Sequence, residues 1–133
     1  MQVKSIDNPE NKLTWDVRPA TWPIKNQSSC RSKIQYLCGQ LLRKKFPFDP
    51  ILEDITIPGT RLSLDFFLPQ RKKVFEIQGL QHDEINSFFH KTEADFSKQQ
   101  ERDKSKEFFC DLNLFSLVKI RSVKEMEEIL GIK

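Results

Sequence analysis

Residues 62 to 79 read LSLDFFLPQRKKVFEIQG, and this stretch decides the fold. Apolar and polar side chains alternate from Leu62 to Phe66, which predicts a strand that continues to Pro69. The polar residues 70–72 predict a tight turn, and Lys73 to Ile77 is apolar enough to form the next strand. We therefore expect the two strands to pair antiparallel through this short connection.

The sequence before this hairpin predicts one helix and one further strand. Apolar residues recur every three or four positions in the segment 30–45, which predicts an amphipathic helix with Ser28 or Ser29 as its N-cap. The segment 51–57 is rich in β-prone residues and ends at Pro58-Gly59, a strong turn signal. Three strands with tight connections thus follow the first helix, and we expect an antiparallel meander.

The sequence after the hairpin completes an α/β core. It predicts a helix over 93–112, a short apolar strand over 114–120, and a last helix that begins with the capping pair Ser122 and Glu125. A helical crossover leads to the fourth strand, so we expect this strand to join the sheet parallel to its neighbour. The predicted fold class is α/β, with a mixed four-stranded sheet sandwiched by helices.

The first 29 residues have no helical or strand period and contain three prolines. We expect residues 1–29 to form an irregular arm that lies over a domain formed by residues 30–133. Trp15 and Trp22 would anchor the arm by packing on the domain. An alternative role for either tryptophan is to stack on a nucleic-acid base.

Composition places the chain among folded proteins without a membrane span. No apolar run among its 133 residues approaches the roughly 20 residues that cross a bilayer. No apolar stretch follows Met1, so we expect a cytoplasmic protein rather than a secreted one. The net charge of +3 permits a nucleic-acid partner without indicating one. The three cysteines lack the spacing of a zinc site, and Cys38 and Cys110 are expected to be core residues.

Two acids stand out because they lie inside apolar strands. Alternation should place Asp65 on one face with Ser63 and Phe67, and Leu64 on the other face. Glu76 lies near the end of the next strand, and Gln78 follows it on the same face. Carboxylates on neighbouring strands suit a hard cation such as Mg²⁺. The alternative is a structural salt bridge between each acid and a Lys or Arg.

The segments after these strands contribute further candidates. Gly79 permits a sharp change of chain direction, which would bring Gln81 and His82 over the strand end. A histidine beside a metal site can accept a proton from an attacking water, although a loop histidine is often only a surface residue. The second predicted helix has polar residues on one face, spaced by four and three positions: Gln99, Asp103 and Lys106. They either face the acids or belong to a solvated face of the helix.

The order of these elements and residues resembles the PD-(D/E)xK nuclease superfamily. Asp65 on the second strand and Glu76-x-Gln78 on the third correspond to the motif of that superfamily. Gly79 and His82 after the third strand, with Arg102-Asp103 on the next helix, resemble the branch of very short patch repair endonucleases and phage-type homing nucleases. The resemblance covers about residues 32–121 and implies a restriction-endonuclease-like αβββαβ core.

The resemblance implies an Mg²⁺- or Mn²⁺-dependent deoxyribonuclease in a bacterial or phage-infected cell. Asp65 and Glu76 would bind the metal, and His82 would act as general base or hold the attacking water. Asp103 would position or polarise that histidine or a metal-bound water. Gln78 stands where the superfamily usually has a lysine, so that positive charge would come from the metal alone or from Lys104 or Lys106. The residues expected to contact the DNA backbone are Arg31, Lys33, Gln81, Lys91, Gln99, Arg102 and Lys106.

Two substitutions keep a second interpretation open. Gln78 replaces the motif lysine, and Gln35 stands where relatives often have a glutamate on the first helix. The chain would then be a catalytically inactive nucleic-acid-binding or assembly module on the same fold. A third interpretation gives the domain no nucleic-acid role and satisfies the two acids with buried cations. A homodimer or a larger assembly is compatible with each interpretation.

Overall fold

A mixed four-stranded sheet with helices around it forms the centre of the protein. The computed structural model describes residues 1–78 and 93–132, and within the second range it describes side chains from residue 97 onward. The elements in chain order are β1 (Gln2–Lys4), β2 (Lys12–Thr14), α1 (Lys33–Lys45), β3 (Leu52–Thr56), β4 (Ser63–Leu68), β5 (Lys73–Ile77), α2 (Glu93–Leu112), β6 (Ser116–Ile120) and α3 (Val123–Leu130).

The sheet has the order β3-β4-β5-β6. β3, β4 and β5 pair antiparallel, as tight turns require, with Phe66 of β4 opposite Phe75 of β5. β6 arrives after the crossover through α2 and pairs parallel to β5, with Val118 opposite Phe75. The predictions of an α/β class, a mixed sheet and a parallel fourth strand are therefore confirmed.

Hydrophobic clusters cover both faces of the sheet. Phe66 and Phe75 belong to one cluster, which Leu42 of α1 and Met126 of α3 complete. Phe67 of β4 and Val74 of β5 belong to a second cluster on the opposite face, together with Phe109 of α2 and with side chains of the N-terminal arm. The sheet therefore lies between α1 and α3 on one side and α2 with the arm on the other.

The N-terminal arm contains regular structure, which corrects the expectation that it is irregular throughout. β1 and β2 pair antiparallel, with Val3 opposite Leu13. The expectation that Trp15 anchors the arm is confirmed, because its ring stacks on Phe67 at 4.9 Å between centroids and meets Phe109 edge-on at 5.3 Å. Trp15 is 3% exposed, so no open face of the ring remains for a base.

The first helix begins later than the sequence suggested. Ser32 is the N-cap of α1, and its hydroxyl accepts a hydrogen bond of 3.1 Å from the Gln35 N–H. Ser28 and Ser29, the expected caps, both donate their hydroxyls to Asn26 Oδ1 instead. These serines therefore serve a local turn at Asn26, and helical geometry starts four residues after Ser29.

The last helix has the termini that its sequence predicts. The hydroxyl of Ser122 accepts a hydrogen bond of 3.1 Å from the Glu125 N–H at the start of α3. Gly131 ends the helix in the left-handed conformation at φ 68°. Cys38 and Cys110 are buried and unbridged, which confirms their placement in the core. In residues 1–78 and 93–132, no helix is both long enough and apolar enough to span a bilayer.

Candidate functional site

Asp65 and Glu76 lie directly opposite each other on β4 and β5, one position beyond the last regular ladder pair. Their carboxylates take the place of backbone acceptors at this point. Glu76 Oε2 accepts a hydrogen bond of 2.6 Å from the Asp65 N–H, and Asp65 Oδ2 accepts one of 2.7 Å from the Ile77 N–H. The two side chains are thus held in a fixed geometry between the strands, where they are 8% and 7% exposed.

The environment of Asp65 disfavours its charged form. Burial, and next the negative charge of Glu76, raise the pKa of Asp65 to about 7. The hydrogen bond from Ile77 and the positive charge of Lys106 act in the opposite direction but do not compensate. At neutral pH the negative charge of the pair is therefore not fully compensated, and a further cation nearby would stabilise it.

Lys106 of α2 supplies the one positive charge that contacts Glu76 within the described part of the chain. Its Nζ donates to Glu76 Oε1 at 2.7 Å, and its side chain is 19% exposed. The polar middle of α2 was expected either to face the acids or to be solvated. Lys106 faces the acids, and Asp103, one helical turn before it, is half-buried.

A third acid extends the pair into a row across three strands, which we call the acidic row: Asp54, Asp65 and Glu76. Asp54 of β3 lies opposite Asp65, between two regular ladder pairs but without one of its own. Its backbone is left-handed, with φ 52°, a conformation that Asp tolerates better than most residues. The charge of Asp54 also contributes to raising the pKa of Asp65.

The regular pairing of the strands is interrupted at the acidic row, and this interruption explains an incorrect prediction about the faces of β4. Leu64 and Phe67 belong to the same hydrophobic cluster, although alternation would place residues three apart on opposite faces. Leu52 and Ile55 of β3 show the same shift. The expectation that Leu64 faces away from Phe67 is therefore wrong, because the alternation of side chains shifts at the acidic row while the pairing register stays the same on both sides of it.

A polar network surrounds Asp54 and includes residues that sequence reasoning did not assign to the site. Gln35 Nε2 donates to Asp54 Oδ1 at 3.1 Å and to Glu53 Oε2 at 3.0 Å. Lys25 of the arm forms an ion pair with Asp54, and its backbone N–H donates to Glu53 Oε1 at 2.8 Å. The arm thus closes one side of the site. The sequence offered two signals, which are the acids Glu53 and Asp54 inside an apolar segment and Gln35 at the position where relatives often have a glutamate.

Besides Lys106, Arg31 is a predicted DNA-contacting residue that lies beside the acidic row. Its Nε is 3.5 Å from Asp54 Oδ1, and its guanidinium donates to Ser63 Oγ at 3.2 Å. Its side chain is 61% exposed, so it reaches from the site to the surface. Lys33 is exposed at the first position of α1.

The remaining predicted residues divide into three groups. Gln78 is half-buried just after β5, and its backbone N–H donates to Ile120 O at 2.6 Å. Gln99 and Arg102 are exposed on α2, whereas Lys106 is half-buried and contacts Glu76. The predicted residues that lie outside the described residues are Gln81, His82 and Lys91.

The donor set of the site fits a hard divalent cation. Asp65 and Glu76 offer carboxylate oxygens, and no described residue donates to Asp65 Oδ1. Mg²⁺ commonly takes one or two carboxylates and completes its coordination with water and phosphate oxygens. Residues 1–78 and 93–132 contain no group of three or more His, Cys, Asp or Glu side chains placed to hold a metal. A cation here would therefore depend on these few oxygens and on ligands from solvent or substrate.

Comparisons with known proteins give no further guidance. No family model, curated protein or solved structure matches the chain significantly.

Proposed function

We propose that this chain is a metal-dependent DNA endonuclease that hydrolyses phosphodiester bonds. One observation carries the proposal, which is the pair of buried acids that face each other on adjacent strands with a lysine beside them. The same pair is the core of the resemblance to the PD-(D/E)xK nucleases. Two buried carboxylates held side by side by cross-strand hydrogen bonds are costly for folding. A metal site is a physical reason to keep them.

Asp65 and Glu76 would hold the metal, Mg²⁺ or Mn²⁺. When bound, the ion supplies positive charge that stabilises the transition state at phosphorus. Cross-strand hydrogen bonds fix the positions of the two carboxylates before a ligand binds. Gln78 lies two residues after Glu76, just beyond the end of β5, and would orient a phosphate or a water by hydrogen bonding.

His82 is the proposed acceptor of the proton from the attacking water, because an imidazole titrates near neutral pH. Asp103 on α2 would position that imidazole. The half-buried position of Asp103, one turn before a lysine that contacts Glu76, supports this role.

The DNA backbone would be held by cations around the acids. Arg31 supports this role best, since its guanidinium lies beside Asp54 and its side chain is 61% exposed. Lys33 at the start of α1 and Arg102 on α2 are exposed and would add further phosphate contacts. Binding of this kind does not read base sequence. The proposed setting is the cytoplasm of a bacterial or phage-infected cell.

A second candidate function is a catalytically inactive module that binds nucleic acid. The specific observation in its favour is that both carboxylate oxygens of Glu76 already have donors, the Asp65 N–H and Lys106. Gln35 and Gln78 at positions where nucleases of this kind have charged residues point the same way. A protein of this type would bind DNA through its surface cations without cutting it.

Cleavage of supercoiled plasmid separates the two functions. With Mg²⁺ or Mn²⁺ we expect the wild-type chain to nick the plasmid, and Asp65→Ala and His82→Ala to lose at least about a hundredfold in rate. Asp111→Ala, an exposed acid on α2, is the control and should cut normally. Equal cutting by all these variants would exclude the assigned site. Absence of cutting together with salt-sensitive DNA binding would support the inactive module.

A further inference from the structure

Lys106 contacts the carboxylate that a divalent ion at this site would also contact. Its ammonium group contacts Glu76 Oε1 at 2.7 Å, while the other oxygen of Glu76 is used by the Asp65 N–H. The carboxylate oxygen best able to ligate a metal is therefore already held by a cation of the protein itself. A site that ligates a metal through Glu76 Oε1 has to release this contact first.

We propose that Lys106 is an exchangeable counter-ion, which a divalent ion displaces from Glu76 and which then contacts a phosphate of the nucleic acid. The inference rests on the proposed function, since it presupposes a divalent ion at Asp65 and Glu76. The physical reason is repulsion between the two cations. An ammonium group and a divalent ion on one carboxylate would lie only a few ångströms apart in a site shielded from water.

The surrounding packing lets the charged group of Lys106 move while the helix stays in place. Phe109 and Cys110 follow within four residues on α2 and are fully or almost fully buried in the cluster that includes Trp15. The backbone of α2 is therefore anchored there. The lysine side chain is a flexible four-carbon chain that is partly exposed, so its ammonium group can turn outward without repacking of the core.

The charges around the acidic row make the exchange favourable for substrate binding. Four carboxylates lie in this region, Glu53 and the three of the acidic row, and the described cations that pair with them are Lys25, Arg31 and Lys106. The region without metal thus has more acids than bases and repels phosphate. Addition of a divalent ion reverses this balance, and a released ammonium group then points to solvent as a phosphate donor.

Binding of Mn²⁺ alone, without DNA, tests the first half of the proposal. We expect Lys106→Gln, which retains a hydrogen-bond donor but removes the charge, to bind Mn²⁺ about tenfold more tightly than wild type. Lys106→Arg retains the charge and should bind as weakly as wild type. Lys98→Gln, an exposed lysine on α2, is the matched control and should not change affinity. Titration calorimetry or Mn²⁺ electron paramagnetic resonance gives the affinities.

The outcomes distinguish failure of this inference from failure of the proposed function. If wild type binds Mn²⁺, Asp65→Asn abolishes binding and Lys106→Gln binds no more tightly than wild type, the exchange is overturned and the metal site stands. If Asp65→Asn binds Mn²⁺ as wild type does, or nothing binds, both proposals are overturned. The rise in Tm on addition of Mn²⁺ is a second readout, and it should be larger for Lys106→Gln than for wild type.

The salt dependence of DNA binding tests the second half. With Ca²⁺ as a divalent ion, the slope of log K against log salt for wild type should be steeper by about one than in EDTA, because one more phosphate contact forms. Lys106→Gln should show no such difference. Equal slopes for wild type in Ca²⁺ and EDTA would overturn the transfer of Lys106 to phosphate.

Discussion

Asp65 has two roles that conflict with each other. Its backbone N–H and its carboxylate both take part in the hydrogen bonds that join β4 to β5 beside the acidic row. Its charge, however, is buried beside that of Glu76, and burial with this neighbour raises its pKa to about 7. A residue that is unfavourable in its charged form but well held in position fits a ligand-binding role better than a purely structural one.

Asp65→Asn should therefore stabilise the protein at alkaline pH. In wild type the unfolded state ionises Asp65 near pH 4 and the native state near pH 7, so its contribution to stability falls as pH rises through this window. Asparagine retains an acceptor for the Ile77 N–H and does not ionise. We expect the stability advantage of Asp65→Asn to be larger at pH 8 than at pH 5 by about 2 kcal/mol.

Urea unfolding in EDTA at the two pH values measures this difference. Asp111→Asn, on the exposed side of α2, is the control and should change stability by less than about 0.5 kcal/mol. A smaller advantage of Asp65→Asn at pH 8 than at pH 5 would show that Asp65 is stabilised in its charged form.

At the scale of elements, hydrophobic periodicity predicted most segments, but termini and interruptions depended on other interactions. Period and composition are sufficient to predict β5 and α2. Their observed bounds match the predicted ones, Lys73–Ile77 and Glu93–Leu112. The start of α1 was misplaced because three serines precede it and a local turn uses two of them. Side-chain competition of this kind is not visible in a hydrophobic pattern.

Ser32→Ala should destabilise the protein by about 1 kcal/mol, because it removes the acceptor for the Gln35 N–H at the first turn of α1. Ser28→Ala removes only a hydroxyl in an exposed turn and should change stability by less than about 0.5 kcal/mol. Chemical denaturation of the two variants beside wild type gives the comparison. A larger loss for Ser28→Ala would place the N-cap where the sequence first suggested it.

At the scale of the whole molecule, the arm contributes side chains both to the hydrophobic core on one face of the sheet and to the polar network at the acidic row. Trp15 packs between Phe67 of β4 and Phe109 of α2. Lys25 joins Asp54, so the arm also carries part of the charge at the acidic row. An arm connected in both ways should unfold together with the domain rather than separately.

Trp15→Ala should lower the free energy of unfolding by about 3–5 kcal/mol, because it leaves a large cavity in this shared core. The transition should remain a single one, with far-ultraviolet circular dichroism and intrinsic fluorescence of the remaining Trp22 coincident. Phe48→Ala is the control, since Phe48 is 96% exposed and should contribute less than about 0.5 kcal/mol. Two separate transitions in wild type would show instead that the arm is independent of the domain.

The sequence by itself determined the class of fold and the two acids on neighbouring strands, because hydrophobic periodicity and an acid inside an apolar strand are local features. Only the tertiary structure decided that Asp65 faces Glu76, that Asp54 extends the row, and that Lys106 and Lys25 bring charge to it. Packing of the whole chain sets the strand register and the left-handed backbone of Asp54, where the alternation of side chains shifts. It also brings together ion pairs between residues some thirty positions apart. They have no signature in the local pattern.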